Sequence, residues 1–241
     1  MTVPPSPGGS SWGIGPTGPP SIQPIDRLRQ AYQRRHETDY IFSFWTALGW
    51  SILTLGIFYF YVFYQLMRRM RDHNVRRLEL LEAARDFAWE VAGRQGLQGE
   101  LRPNFERAAS YLEILRRMTT DFREPSIWLL LSIVGGRLGI VEIIAYVFLD
   151  GDLVKHDTAE GGTESELATI FSRLGQSVPQ PDPARVKGKH NYIARVIVSV
   201  VTVGIYAFWW TYNMMHEPNQ HFEINWAWED SLALAAQALH Q

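Results

Sequence analysis

Two long uncharged stretches dominate the sequence. Residues 40–67 read YIFSFWTALGWSILTLGIFYFYVFYQLM and residues 196–215 read VIVSVVTVGIYAFWWTYNMM, without Asp, Glu, Lys or Arg. A helix of roughly 20 apolar residues is long enough to cross the hydrocarbon core of a bilayer. A helix also satisfies its backbone hydrogen bonds internally, as lipid requires. Both stretches therefore predict membrane-spanning helices.

A third apolar stretch, residues 127–149, carries Arg137 and Glu142 within it. On the insertion scale, two charges near the centre cost about 5–7 kcal/mol, which offsets the gain from the apolar side chains. Two interpretations stay open. The segment crosses within a helical bundle, which is slightly favoured, or it is re-entrant or interfacial, broken into two arms at Gly135 and Gly136. Because charges are costly in lipid, Arg137 and Glu142 are candidate intramembrane functional residues, with a structural buried pair as the alternative.

These patterns predict an all-α integral membrane protein with two firm membrane segments, a third favoured one, and amphipathic soluble helices. A Pro- and Gly-rich tail, residues 1–35, is expected to be disordered. The remaining predicted units are a membrane domain over 36–157 with a helical hairpin at 68–124, a linker with a short helix over 158–187, and a second, partial membrane repeat with an acidic helical tail over 188–241. The expected localisation is the cell membrane, with several passes.

One phrase occurs twice, as TLGIFYFYVFY at 54–64 and TVGIYAFWWTY at 202–212. Thr54 and Thr202 are candidate intramembrane polar residues at matching depth. Gly56 and Gly204 are candidates for close helix packing. The aromatic residues that follow are predicted to lie at the membrane interface; they are Tyr59, Tyr61, Tyr64, Tyr206, Trp209, Trp210 and Tyr212.

These phrases resemble the Thr-x-Gly-Ile-Tyr plus aromatic-run signature of bacterial integral-membrane domains of unknown function. The second phrase matches well, the first has Phe58 in place of the usual Tyr, and YVFLDGDLVKHD at 146–157 is similar to the end of such a domain's later helix. The resemblance covers most of 36–157 and, as a partial second copy, 188–230. It implies a multi-helix membrane protein and no catalytic residues.

The regions between the apolar stretches have helical periodicity. Residues 68–124 predict two amphipathic helices, the second starting after Pro103 with Asn104 as its cap. Thr163 and Glu166 predict a capping box for a short helix over 164–174, which Gly175 ends.

Composition excludes several kinds of chemistry. The absence of cysteine excludes disulfides, thiolate catalysis and Cys-type zinc sites. A formal net charge of −2 gives no support for nucleic-acid binding. The stretch HEPNQH at 216–221 has its two His five residues apart and Pro218 between them, so a zinc-protease helix is not predicted. We therefore expect no catalytic residue, no cofactor and no metal.

One polar coincidence links the two copies. His73 and His221 each lie 19 residues after the Thr of the repeated phrase. We interpret both as surface or interfacial caps, with a shared role as the alternative.

The favoured function is a non-enzymatic membrane interaction or scaffold protein. Its expected partners are the lipid bilayer, membrane or cytoplasmic proteins, or a second copy of the chain. The alternative is a small transport or permeation protein with a charged path through Arg137 and Glu142.

Overall fold

A computed structural model describes residues 22–121, 123–135, 139–182 and 190–241, and within these ranges the chain forms nine helices and no strand. The helices are α1 (Pro24–Gln33), α2 (Arg35–Thr38), α3 (Phe44–Leu53), α4 (Ile57–Arg94), α5 (Gln98–Thr120), α6 (Pro125–Gly135), α7 (Ile140–Arg173), α8 (Tyr192–Val201) and α9 (Ile205–His240).

The repeated phrase forms a tight turn between two helices. In the first copy, Leu55 and Gly56 both have positive φ, 51° and 90°, and this ends α3 and starts α4. Thr54 serves both helices: its hydroxyl donates to Trp50 O at 2.8 Å and accepts from Phe58 N at 2.9 Å. The phrase is thus a C-terminal cap and an N-terminal cap in one.

The second copy repeats this geometry between α8 and α9. Val203 and Gly204 have φ of 50° and 87°. Thr202 donates to Val198 O at 2.7 Å and accepts from Tyr206 N at 3.0 Å. Each copy therefore makes a hairpin with a first arm of ten residues and a long second helix.

The predicted membrane spans are consequently wrong. Residues 40–67 and 196–215 are each divided between two helices, and among the described residues no helix combines the length and the apolar character needed to cross a membrane. This finding overturns the integral membrane fold class and the multi-pass localisation at the cell membrane. Hydropathy counts apolar side chains over a window, but two consecutive left-handed residues end a helix whatever its composition.

A third hairpin lies between the other two. Residues 127–149 are divided between α6 and α7, with Gly139 at φ 63° as the residue before α7. Of the two interpretations left open for this segment, the division into two arms is the one that the structure has. The unit is therefore present three times, where the sequence indicates two copies.

The second helices of the three hairpins, α4, α7 and α9, run side by side in the same direction. Near their first turns, Tyr146 OH lies 3.1 Å from Tyr59 OH and 3.3 Å from Thr211 Oγ1. Each helix then contributes a His 17 residues after its positive-φ Gly, about 25 Å further along the axis. Because contacts occur at both levels, the three turns lie at one end of the molecule.

Two apolar clusters fill the interior, with a polar layer between them. The cluster nearer the turns includes Phe63, Leu66, Met67, Leu149, Trp210 and Met214. The cluster further away also takes side chains from α1 and α5 and includes Leu28, Leu81, Phe105, Leu112, Leu167, Phe171 and Leu232. The polar layer lies where the three His residues meet.

Three predicted helix boundaries differ from the structure. The helix α5 begins at Gln98, so Pro103 lies inside it and Asn104 is not its cap. Thr163 and Glu166 lie within α7, where the Thr163 hydroxyl donates to Ala159 O at 3.0 Å. The helix α9 continues through Pro218.

Candidate metal centre

Three histidines from three hairpins meet in the polar layer. His73 lies on α4, His156 on α7 and His221 on α9, and their ring centroids are 5.2–5.7 Å apart. All three are buried, with at most 7% of the residue exposed. Glu160, one turn after His156, joins them. The four residues each offer one ligand atom, and these atoms all lie within 4.8 Å of one another.

Carboxylates orient two of the three rings. His73 Nδ1 is 3.0 Å from Asp39 Oδ1, and His221 Nδ1 is 3.2 Å from Asp157 Oδ1. A carboxylate next to Nδ1 stabilises the tautomer with the proton on that nitrogen, which leaves Nε2 with a free lone pair. His73 Nε2 is therefore available to a ligand, whereas His221 Nε2 already faces Asn225 Nδ2 at 3.1 Å and would exchange that contact for an ion.

Several ring nitrogens have no hydrogen-bond partner in the described part of the chain. They are His73 Nε2 and both nitrogens of His156, and all are buried. A buried polar atom without a partner costs about 1–3 kcal/mol. Burial also lowers the pKa of His73 and lowers the pKa of His156 still further, so both rings are neutral at pH 7. Neutral imidazole is the form that binds metals.

Glu160 supplies the anionic ligand. Its Oε2 lies 3.3 Å from His221 Nε2 and 3.7 Å from His156 Nε2. Arg77 donates to Glu160 Oε1, and Asn225 Nδ2 lies 3.1 Å from both carboxylate oxygens. These contacts hold the carboxylate beside the three rings.

The donor set matches a divalent transition metal. Three imidazole nitrogens and one carboxylate oxygen are ligands that Zn²⁺ accepts in tetrahedral geometry, at about 2.0–2.2 Å. Ligand atoms in such a shell are about 3.4 Å apart. Side-chain rotations that move each ligand atom by about an ångström would therefore close the site around an ion. The partners of His73, His221 and Glu160 supply the outer hydrogen bonds that metal ligands in proteins commonly have.

A cleft leads to one side of this centre. Its volume is about 570 Å³, and His221 and Asp157 form part of its wall. Further out, the wall includes Asp150 and Glu217, which approach His190 at 2.8 Å and 3.8 Å. The cleft gives an ion an acidic route to the buried His residues.

The structure places the predicted intramembrane charges differently. Arg137 lies outside the described residues. Glu142 is buried and accepts a hydrogen bond from the Ser132 hydroxyl. This contact joins α6 to α7.

Thr54, Thr202, Gly56 and Gly204 all serve the hairpin turns. The two threonines cap helices, as described above. A Cβ atom added to either glycine would meet no atom within 4 Å, so the positive φ requires glycine there and close packing does not.

The seven predicted interfacial aromatics do not share one environment. Trp210 is buried, Tyr59 bonds to Tyr146, and Tyr212 stacks on His216 at 5.2 Å. Trp209 and Tyr61 are exposed, and Tyr64 and Tyr206 are partly exposed.

The sequence predicts no metal, and its candidate residues do not include His156 or Glu160, two of the four residues that meet here. His73 and His221 are related by their equal spacing from Thr54 and Thr202. The third copy has Arg137 where the other two have this Thr, so the same spacing does not point to His156. The spacing from the turn Gly to the His is 17 residues in all three copies and would have revealed the third.

Comparison with known proteins gives no family. The chain matches no protein-family model, no curated protein and no solved structure. The resemblance to bacterial membrane domains therefore stays a prediction.

Proposed function

We propose that this protein binds one divalent transition-metal ion, of the zinc class, through His73, His156, His221 and Glu160. The observation that carries the proposal is the convergence of three buried His rings, two of them with unpartnered nitrogens, beside one carboxylate. The ion would join α4, α7 and α9 at the level of the polar layer.

The arrangement favours a structural role for the ion over a catalytic one. Structural zinc sites have four protein ligands, whereas catalytic sites keep one position for water or substrate. Here four protein ligands are at hand, and each is at most 7% exposed. We therefore propose a non-enzymatic scaffold in which the ion fixes the three hairpins relative to one another. The transport alternative rests on Glu142 alone among the described residues, and one oxygen of that carboxylate is already bonded to Ser132.

A competition titration with a chromophoric zinc chelator tests the proposal. Wild-type chain should take up one Zn²⁺ per molecule. His156→Ala removes a ligand and should weaken binding by more than the 10–100-fold that loss of an outer partner costs. Glu160→Gln keeps the shape of the side chain but removes its charge, and it should also weaken binding.

His240→Ala is the matched control, because His240 is exposed at the end of α9. It should bind Zn²⁺ as wild type does. Circular dichroism establishes that each variant is folded. A folded wild-type chain that takes up no Zn²⁺ would overturn the proposal, and a Glu160→Gln chain with unchanged affinity would remove Glu160 from the ligand set.

A further inference from the structure

The ends of the three hairpins form a large exposed apolar surface. We call residues 44–61, 125–135 with 139–144, and 192–209 the apolar heads. Their exposed large side chains are Trp45, Trp50, Ile52, Leu53, Leu55, Ile57, Tyr61, Ile127, Leu130, Leu131, Ile133, Val134, Ile140, Ile144, Ile193, Ile197, Val198, Val200, Val201, Val203, Ile205, Phe208 and Trp209. Contiguous apolar surface of this extent marks an interaction site.

Among the residues that the structure describes, no charged side chain is exposed on the apolar heads. Within the described residues of the apolar heads, the charged residues are Glu142 and Arg195, and both are buried. Arg195 lies 3.5 Å from Asp150, and Glu142 accepts from Ser132. The exposed faces of the apolar heads are therefore uncharged over their described length, with Thr46 and Ser126 as exposed polar residues.

Leu55 and Val203, at the first and last turns, are a second indication that the apolar heads enter an apolar phase. Leu55 and Val203 are 94% and 92% exposed, and both have φ near 50°. Apolar residues, and β-branched ones above all, rarely adopt this conformation, which Asn and Gly tolerate well. If these positions faced water, Asn or Gly would suit both the left-handed backbone and the exposure to solvent better than Leu or Val. A bulky apolar side chain is favourable there if it enters an apolar phase.

The dimensions fit half a bilayer. The first arms of the hairpins, α3, α6 and α8, have 10, 11 and 10 residues and are about 15 Å long. The hydrocarbon core of a bilayer is about 30 Å thick, so one leaflet is about 15 Å deep. The three turns lie at one end of the molecule, which lets all three apolar heads point at the same surface.

We infer that the apolar heads insert into the hydrocarbon of one lipid leaflet, with the polar layer and its metal centre remaining outside. No helix crosses the bilayer in this arrangement, and at the first and last turns the Thr54 and Thr202 hydroxyls accept from the backbone N–H groups of Phe58 and Tyr206. The inference goes beyond the metal centre, because it rests on the apolar heads alone.

The charges around the base of the apolar heads decide which lipid should be bound. Arg68 pairs with Asp72 at 3.2 Å, Arg71 pairs with Glu124 at 3.3 Å, and Arg123 pairs with Asp152. Because these guanidinium groups are already paired, attraction to anionic headgroups adds little. Neutral phosphatidylcholine should therefore be bound as well as a mixture with phosphatidylserine, and high salt should not release the chain.

The test is flotation of the full chain with phosphatidylcholine vesicles. Wild type should float with the vesicles. The double variant Leu55→Asn, Val203→Asn removes apolar area at two turns while suiting the left-handed backbone. We expect its partition coefficient to fall at least tenfold, on the scale of losing one buried Leu or Val side chain. Its thermal midpoint without vesicles should be equal to or above that of wild type, which separates lost binding from lost folding.

Leu234→Asn is the matched control, since Leu234 is 70% exposed on α9 far from the turns. It should float as wild type does. A wild-type chain that stays with the unbound fraction would overturn the inference, and detergent-sensitive dimers in that fraction would assign the surface to a second copy. Release by salt, or flotation only with phosphatidylserine, would also overturn it. Repeating the flotation assay with chelator-treated, metal-free chain separates this result from the metal proposal.

Discussion

At the scale of single residues, Asp39 connects the metal centre to the rest of the polar layer. Its Oδ1 lies 3.0 Å from His73 Nδ1, and its Oδ2 accepts from Arg76 at 2.7 Å and from Trp226 at 2.8 Å. Burial alone would raise the pKa of Asp39, but His73 and Arg76 outweigh it and hold that pKa well below its usual range. An ionised Asp39 keeps the His73 proton on Nδ1 and leaves Nε2 for the ion.

Replacing this carboxylate should weaken the metal site without removing a ligand. Asp39→Asn is expected to lower Zn²⁺ affinity by about 10–100-fold, because the amide no longer fixes the tautomer of His73. Chelator competition measures the change. Asp26→Asn is the control, since the Asp26 side chain is 50% exposed and its carboxylate lies 3.4 Å from Arg29. Equal affinity for Asp39→Asn and wild type would mean that His73 does not bind the ion through Nε2.

At the scale of helices, Pro218 and Arg69 explain how α9 stays continuous. Proline has no N–H, so Met214 O loses the donor that residue 218 would supply. Arg69 on α4 takes its place, donating to Met214 O at 2.8 Å and to Met215 O at 3.1 Å. Burial lowers the pKa of Arg69 to about 9, and the guanidinium is still charged at pH 7. A side chain of one hairpin thereby supplies the hydrogen-bond donor that the backbone of another hairpin lacks.

This substitution of donors predicts energetic coupling between Arg69 and Pro218. Arg69→Met leaves buried carbonyls without donors and should cost about 2–4 kcal/mol of unfolding free energy. In a Pro218→Ala background the helix supplies its own N–H to Met214 O, so the same change should cost at least about 1 kcal/mol less. Chemical denaturation of wild type, both single variants and the double variant measures this difference. If Arg69→Met lowered the unfolding free energy equally in both backgrounds, Arg69 would not be the donor that replaces the missing N–H of Pro218.

The sequence predicts where helices form much better than where they end. Periodicity indicates helices over most of the described chain, and Gly175, with φ 90°, ends α7 as its position suggests. The sequence does not predict the first and last hairpin turns, because Leu55 and Val203 are residues that favour continuing a helix or strand. Their left-handed backbone depends on the adjacent Gly and on the Thr caps, which a hydropathy window cannot detect.

The candidate site could be predicted only in part, for a related reason. The matching positions of His73 and His221 are visible along the chain, but their burial is not. Their contact with His156 depends on α4, α7 and α9 lying parallel and in register. That packing arises from three hairpins together, and the sequence shows the repeat clearly in two of them.

At the scale of the whole molecule, the chain has a polar layer between two apolar clusters and apolar surface at one end. The metal centre lies at the level where all three long helices meet, so an ion there would set the spacing of the hairpins. The turns of the apolar heads lie about 25 Å away along the helices. An ion in the polar layer and lipid at the heads would thus act on the same three helices at two different levels.

Zinc-edge X-ray absorption of the purified chain, loaded with one equivalent of Zn²⁺, reports the ligands of the ion in the polar layer. We expect four ligands, with three imidazole nitrogens at about 2.0–2.1 Å and one carboxylate oxygen at about 2.0–2.2 Å. The imidazole signal should diminish in His156→Ala and persist in His240→Ala. A six-coordinate shell of water oxygens, or one imidazole at most, would contradict this ligand set.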